Sequence, residues 1–182
     1  MSGADNRGAY LNRVLIGGRE RVAIEIVAYD PSWPARYAAE YVRIRSALGT
    51  KARRIEHVGS TSVPGLAAKP IIDIILVVDD ASDEDGYGPA LEAAGYVLRV
   101  REPDHHHMYR TPARDVHIHI WATAAELGRH LVFRDRLRSD PGDRLLYEQT
   151  KRELAKRDWA DMNDYAAAKS AIIAEITARA TS

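Results

Sequence analysis

Residues 57–78 read His57-Val58-Gly59-Ser60-Thr61-Ser62-Val63-Pro64-Gly65-Leu66-Ala67-Ala68-Lys69-Pro70-Ile71-Ile72-Asp73-Ile74-Ile75-Leu76-Val77-Val78. The second half, from Lys69 to Val78, is an almost unbroken β-branched run, the pattern of a central strand buried on both faces. Asp73 is the single charge inside its apolar part. The first half, from Gly59 to Leu66, is too rich in small residues and turn formers for regular structure and reads as a loop between two core strands. Its glycines and hydroxyls let backbone N–H groups and Ser60 or Thr61 approach an anion closely, and a phosphate is the natural guest. A tight structural connection is the alternative. The loop is not a Walker A motif, because Gly65 is followed by Leu66 and a strand rather than by Lys, Ser or Thr and a helix.

Outward from this stretch the chain alternates elements. Val22 to Val27 reads as a strand ending at Asp30-Pro31-Ser32-Trp33-Pro34, where Ser32 is placed to cap a helix with Pro34 in its first turn. That helix carries Tyr37, Tyr41, Ile44 and Leu48 as an apolar stripe and stops at Gly49. Arg53 to Val58 is a short strand, Pro89 to Ala94 a short helix closed by Gly95, and Tyr96 to Val100 a further strand. His106 to Arg110 and Val116 to Trp121 form a hairpin around Thr111-Pro112-Ala113-Arg114-Asp115. Thr123-Ala124-Ala125-Glu126 is a capping box for a helix to about Leu137, broken by Ser139-Asp140-Pro141-Gly142. Two helices follow, Asp143 to Lys156 and Asp164 to Ala178. The fold class is therefore α/β (α+β), with residues 1–20 a loosely held leader, 21–121 the α/β core and 122–182 a C-terminal helical part of the same domain.

Composition bounds the function. The chain has 182 residues, 26 Lys+Arg against 26 Asp+Glu and no Cys. Balanced charge offers no whole-molecule field for nucleic acid or anionic membranes, so any anion site is local. The absence of Cys excludes disulfides, thiolate-held metals and thiol nucleophiles. Aromatic residues make up only 7%, leaving few stacking platforms for RNA. With no apolar h-region and no run long enough to span a bilayer, the expectation is a soluble, cytoplasmic protein.

Three constellations carry candidate chemistry. An ionised Asp73 inside an apolar strand costs several kcal/mol unless a cation, a metal or hydrogen-bond donors compensate it. His117 and His119 are two apart, so a strand points both to one face, where with a carboxylate they could hold a divalent metal; hydrogen bonding within the fold is the alternative. Arg134 and Arg138, four apart on one helix face, are spaced to grip phosphate oxygens, or else form part of a solvated, salt-bridged face. In His105-His106-His107, alternation sends the middle residue the opposite way from its neighbours, which fits surface or cleft packing better than a metal site.

The stretch from His57 to Ile74 closely resembles the signature of the GrpB family (UPF0157). The resemblance extends over about residues 22–178 through Asp30-Pro31-Ser32-Trp33, His117-Ile118-His119-Ile120, Phe133 to Arg138, Tyr147 to Lys151, Tyr165 and Lys169. It implies the nucleotidyltransferase superfamily: a small mixed sheet flanked by helices, binding a nucleotide or phosphate compound and transferring a nucleotidyl group to a small acceptor with Mg2+ or Mn2+. On this reading His57, Gly59, Ser60, Thr61, Lys69, Arg134, Arg138, Lys151 and Lys169 form the phosphate and nucleotide site. Asp73, His117 and His119 form the metal and catalytic set. The sequence departs from that plan at Ile75, where the second carboxylate of a D-x-D pair is expected, and at His117 and His119, where a third is expected. The family also occurs fused to dephospho-CoA kinase, which implies an alternative: a non-catalytic module that senses a ligand or assists a partner enzyme.

Overall fold

The structure is a computed structural model that describes residues 3–21, 23–102 and 106–181. In chain order the elements are α1 (Gly3–Val14), α2 (Trp33–Leu48), β1 (Arg54–Val58), β2 (Ile72–Val77), α3 (Glu84–Ala93), β3 (Val97–Glu102), β4 (His106–Arg110), β5 (Val116–Trp121), α4 (Ala124–Ser139), α5 (Pro141–Ala155), α6 (Met162–Ala168) and α7 (Ser170–Ala180). The strands form one sheet in the order β1-β2-β5-β4-β3. β2 runs parallel to β5 and every other neighbouring pair is antiparallel. This is the mixed sheet flanked by helices that the sequence leads one to expect.

The two faces of β2 explain its apolar run. Ile72, Ile74 and Leu76 pack into the main core with Trp33, Ile44 and Leu91 from α2 and α3. On the opposite face Ile75 and Val77 pack with Val58 and with Leu127 and Leu131 of α4. Asp73 shares that second face, near the start of the strand, where the sheet opens into a cavity. The loop after β1 is held from the other side: its Val63 and Leu66 are buried with Leu137, Tyr147 and Ile176 of the C-terminal helices.

Several local expectations change. Within residues 1–20, α1 is a helix rather than a loose leader, and Leu11, Val14 and Leu15 are buried against Val100. Those three residues carry the spacing of an apolar helix face, a signal obscured by the polar residues around it. Leu15 bridges Val100, while Arg99 donates to the carbonyls of Ile16 and Gly18. Val22 lies outside the described residues, and 23–26 form no strand; Val27 makes only an isolated bridge to Ala68. Ser32 makes no side-chain cap; instead its N–H donates to Asp30 Oδ1 at 2.8 Å. On α2, Tyr41 is exposed and the buried row is Trp33, Glu40, Ile44 and Leu48, with Glu40 accepting from the Tyr96 hydroxyl. The helix expected from Pro89 begins earlier, where Glu84 and Asp85 in the first turn complement the helix dipole. The last helix divides at Lys169 into α6 and α7.

Trp33 is fully buried, its ring edge-on to Tyr29 at 5.2 Å. Trp33→Ala is expected to cost about 3–5 kcal/mol. For a chain of this size that lowers Tm by roughly 6–20 °C in calorimetry. Leu145→Ala, at a position 57% exposed, is expected to change stability by about 0.5 kcal/mol or less.

Candidate functional site

Strand register brings the candidate metal residues together. Asp73 is paired with His117 and Ile75 with His119 across the parallel β2–β5 ladder. The period of two turns both imidazoles to the face that carries Asp73. His117 Nδ1 lies 3.5 Å and His119 Nε2 4.0 Å from Asp73 Oδ1. One ligand atom from each residue falls within 4.8 Å of the other two, so the three fit a single cation. Burial by itself raises the Asp73 carboxyl, but the hydrogen bond from His117 and the nearby His117, His119 and Lys69 prevail and hold it at about 2. Burial, followed by the neighbouring His106, lowers His119 to about 3, so its imidazole is neutral at physiological pH.

Gly59 backs this cluster. Its φ is +68°, and a Cβ there would sit 2.6 Å from Asp73 Oδ2. Only glycine satisfies both the backbone conformation and the approach of the loop to the carboxylate. The neighbouring one-turn helix Ser60–Ser62 places the Ser60 side chain in hydrogen-bonding contact with Tyr147.

The remaining loop candidates serve the fold. The Thr61 hydroxyl donates to Ile71 O at 3.0 Å and lies 3.0 Å from His57 Nε2. His57 Nε2 must therefore be the donor in that pair. His57 stacks on Tyr37 at 4.7 Å, on the α2 side of the sheet, and burial lowers it to about 4. Neither His57 nor Thr61 lines the cavity. The same is true of the two arginines. Arg134 donates to His57 O at 3.0 Å, and Arg138 donates to Ser62 O at 2.7 and 3.0 Å. Spacing suited to phosphate oxygens is equally suited to the carbonyls of β1 and its loop, and these guanidiniums clamp α4 to them.

The lysines lie around two tyrosines. Lys69 and Lys169 Nζ are 5.2 and 4.7 Å from the Tyr165 ring centre. Lys151, 2% exposed, sits 5.0 Å from the Tyr147 ring and donates to Ala67 O. Burial, then the adjacent Lys169, lowers Lys69 to about 8 and Lys151 to about 7. Lys169 is also lowered by burial. Lys69 and Lys169 share a cavity of about 520 Å³ with Asp73, His117 and His119. Lys151 stands behind its wall.

The far wall of the cavity joins residues distant in the chain. There Glu20 accepts two hydrogen bonds from Arg110, both 2.8 Å, with Arg114 at 3.4 Å and Arg99 at 3.9 Å. The Arg110 hydrogen bonds dominate in holding the Glu20 carboxyl at about 2. Alternation along β4 puts Arg110 on the face of Met108, which was a usable signal; the partner Glu20 lies 90 residues away and was not predictable. His106, also on β4, joins the cluster through His119. His105 lies outside the described residues.

The pattern of the family described as GrpB protein matches residues 23–179. A UPF0157 protein of Streptomyces coelicolor is 52% identical over 91% of this chain and 89% of its own length. The crystal structure of conserved protein GrpB from Enterococcus faecalis superposes with a TM-score of 0.75 at 31% identity, over 86% of this chain and 96% of that one. The chain belongs to the GrpB family. It is also 31% identical to a dephospho-CoA kinase of Mycolicibacterium paratuberculosis, over 82% of this chain but only 44% of the kinase. Among the described residues no helix is long and apolar enough to cross a membrane.

Gly59→Ala is expected to destabilise the protein by about 1–3 kcal/mol in urea unfolding, from backbone strain and contact with Asp73. In an Asp73→Ala background the cost is expected to fall, because the closest atom has been removed. At Gly95, which also has positive φ but open space around a Cβ, the same substitution measures strain alone.

Proposed function

We propose that this chain binds a nucleotide or a related phosphate compound. Its phosphates lie against Lys69 and Lys169, with Lys151 adding positive charge from behind, and a divalent ion lies on Asp73, His117 and His119. The observation that carries this reading is the sharing of one cavity of about 520 Å³ by Lys69, Lys169 and the Asp73 cluster. Partial burial disfavours the charged forms of Lys69 and Lys169, and an anionic ligand beside them offsets that cost. A cation on the cluster would neutralise phosphate oxygens and polarise the phosphorus they surround.

Two uses of such a site follow. Transfer of a nucleotidyl group to a small acceptor is favoured by the cavity's reach past the cluster to Arg110 and Arg114, which leaves space for a second molecule. In that use His117 or His119, where it does not hold the ion, takes the proton of the acceptor. A non-catalytic role, sensing a ligand or assisting a partner enzyme, is favoured by Ile75: the position suited to a second carboxylate is a fully buried core residue. The match to part of a dephospho-CoA kinase supports the same role and makes CoA-type compounds part of the test.

The test is a thermal-shift panel of nucleoside triphosphates and CoA-type compounds with and without Mg2+ or Mn2+. A ligand at about 100 times its Kd adds roughly 2.7 kcal/mol, a shift of about 5–11 °C here. The shift is expected to need metal, and to be lost in Asp73→Ala and in Lys69→Ala. Failure of every compound to shift the wild type overturns the reading; product formation from a triphosphate separates the two uses.

Affinity is also expected to depend on pH. Lys151 and Lys69 titrate at about 7 and about 8 in the free protein, and a bound anion raises both values. Binding then takes up protons, so affinity falls as pH rises through 7 to 8. Calorimetry at pH 8 in two buffers of different ionisation enthalpy is expected to register that uptake.

A further inference from the structure

We propose that Glu102 and His106 are positioning residues that fix the tautomer of His119, leaving its Nε2 bare toward Asp73 and suiting the cluster to a divalent first-row transition ion rather than to Mg2+. This rests on the metal part of the reading above.

The observations form a chain of hydrogen bonds from the surface to the cluster. The Tyr10 hydroxyl donates to Glu102 Oε1 at 2.5 Å. Glu102 Oε2 lies 3.1 Å from His106 Nδ1, and His106 Nε2 lies 3.2 Å from His119 Nδ1. The His106 and His119 rings are inclined by only 9° with centres 5.4 Å apart. That separation is close to the largest two imidazoles can have with such an N···N contact, so the rings meet edge to edge in nearly one plane. A directed N–H···N bond follows. Trp121 covers a face of His106, with ring centres 4.3 Å apart, and restrains it from turning.

Proton counting along the chain sets the outcome. An ionised carboxylate only accepts, so His106 carries its proton on Nδ1. In the neutral ring His106 Nε2 is then an acceptor, and the proton between the two histidines belongs to His119 Nδ1. His119 Nε2 is left with a lone pair, facing Asp73 Oδ1 at 4.0 Å. A lone pair and a carboxylate oxygen facing one another repel unless a cation lies between them. Such a carboxylate-to-imidazole arrangement is what fixes ring orientation and raises basicity at histidine metal sites. Two imidazoles with one carboxylate suit Mn2+, Co2+ or Zn2+ better than Mg2+, which prefers oxygen ligands.

The test uses the metal-free full chain and Co2+ as probe. Long-range 15N–1H NMR of the wild type is expected to find His119 protonated at Nδ1 and bare at Nε2, and His106→Phe to abolish that preference. Calorimetry is expected to give tighter binding of Co2+ than of Mg2+, weakened about 10–100-fold by His106→Phe. Glu102→Ala, at a less enclosed position, is expected to weaken Co2+ in the same direction and serves if the His106 variant fails to fold. An Nε2-protonated His119 in the wild type, or Co2+ affinity unchanged in both variants, overturns the proposal. Stabilisation by a nucleotide in a protein that binds Mg2+ but not Co2+ overturns it as well, while leaving the phosphate reading standing.

Discussion

An ionised carboxylate on an interior strand is the constraint around which this molecule is built. Asp73 stands in an otherwise apolar strand where the sheet opens into the cavity, and its partial removal from water carries a cost that nearby charge and hydrogen bonds offset. The compensation comes from three directions: His117 on the adjacent parallel strand, Lys69 from the segment before β2, and Lys169 from the junction of α6 and α7. Gly59 lets the loop close over the carboxylate without a side chain in the way. The position is thus solvated by protein groups, which hold it ionised.

The C-terminal helices are consequently part of the site and not an appendage to it. Val63 and Leu66 insert under α4, α5 and α7, while Arg134 holds a carbonyl at the end of β1 and Arg138 one in the loop. Lys169 reaches the neighbourhood of Asp73, and Lys151 that of Lys69, only when these helices are docked. Loop conformation, lysine burial and the field at Asp73 are therefore set together by one packing interface.

The legible part of the sequence was the part written in short-range period. Alternation in residues 117–119 placed both histidines on one face, and the apolar run around Asp73 marked the strand that pairs with them. Capping residues located α4 well, with Thr123 accepting from the Glu126 N–H. What the sequence left open was the partner at a distance. Arg134 and Arg138 have the spacing of a phosphate grip and bind backbone carbonyls instead, because spacing records which way side chains point and not what they meet. His57 sits among candidate site residues in the chain but on the opposite side of the sheet, since alternation along β1 turns it toward Tyr37. His106 shows the converse: the expected alternation does turn it away from His107, yet only the β4–β5 register reveals that this direction leads to His119.

The bridge between Leu15 and Val100 has a consequence for how the molecule behaves toward copies of itself. A five-stranded open sheet has two edges, and an uncovered edge is a template for pairing with another chain. The β1 edge is short and carries Arg54 and Glu56 as charged guards. At the β3 edge the segment after α1 occupies the backbone itself, with Ile16 N–H bonded to Arg99 O at 2.9 Å. The segment after the N-terminal helix thereby stands in for a neighbouring strand: while it is in place, the backbone at the middle of β3, at Arg99 and Val100, is not open to a second molecule.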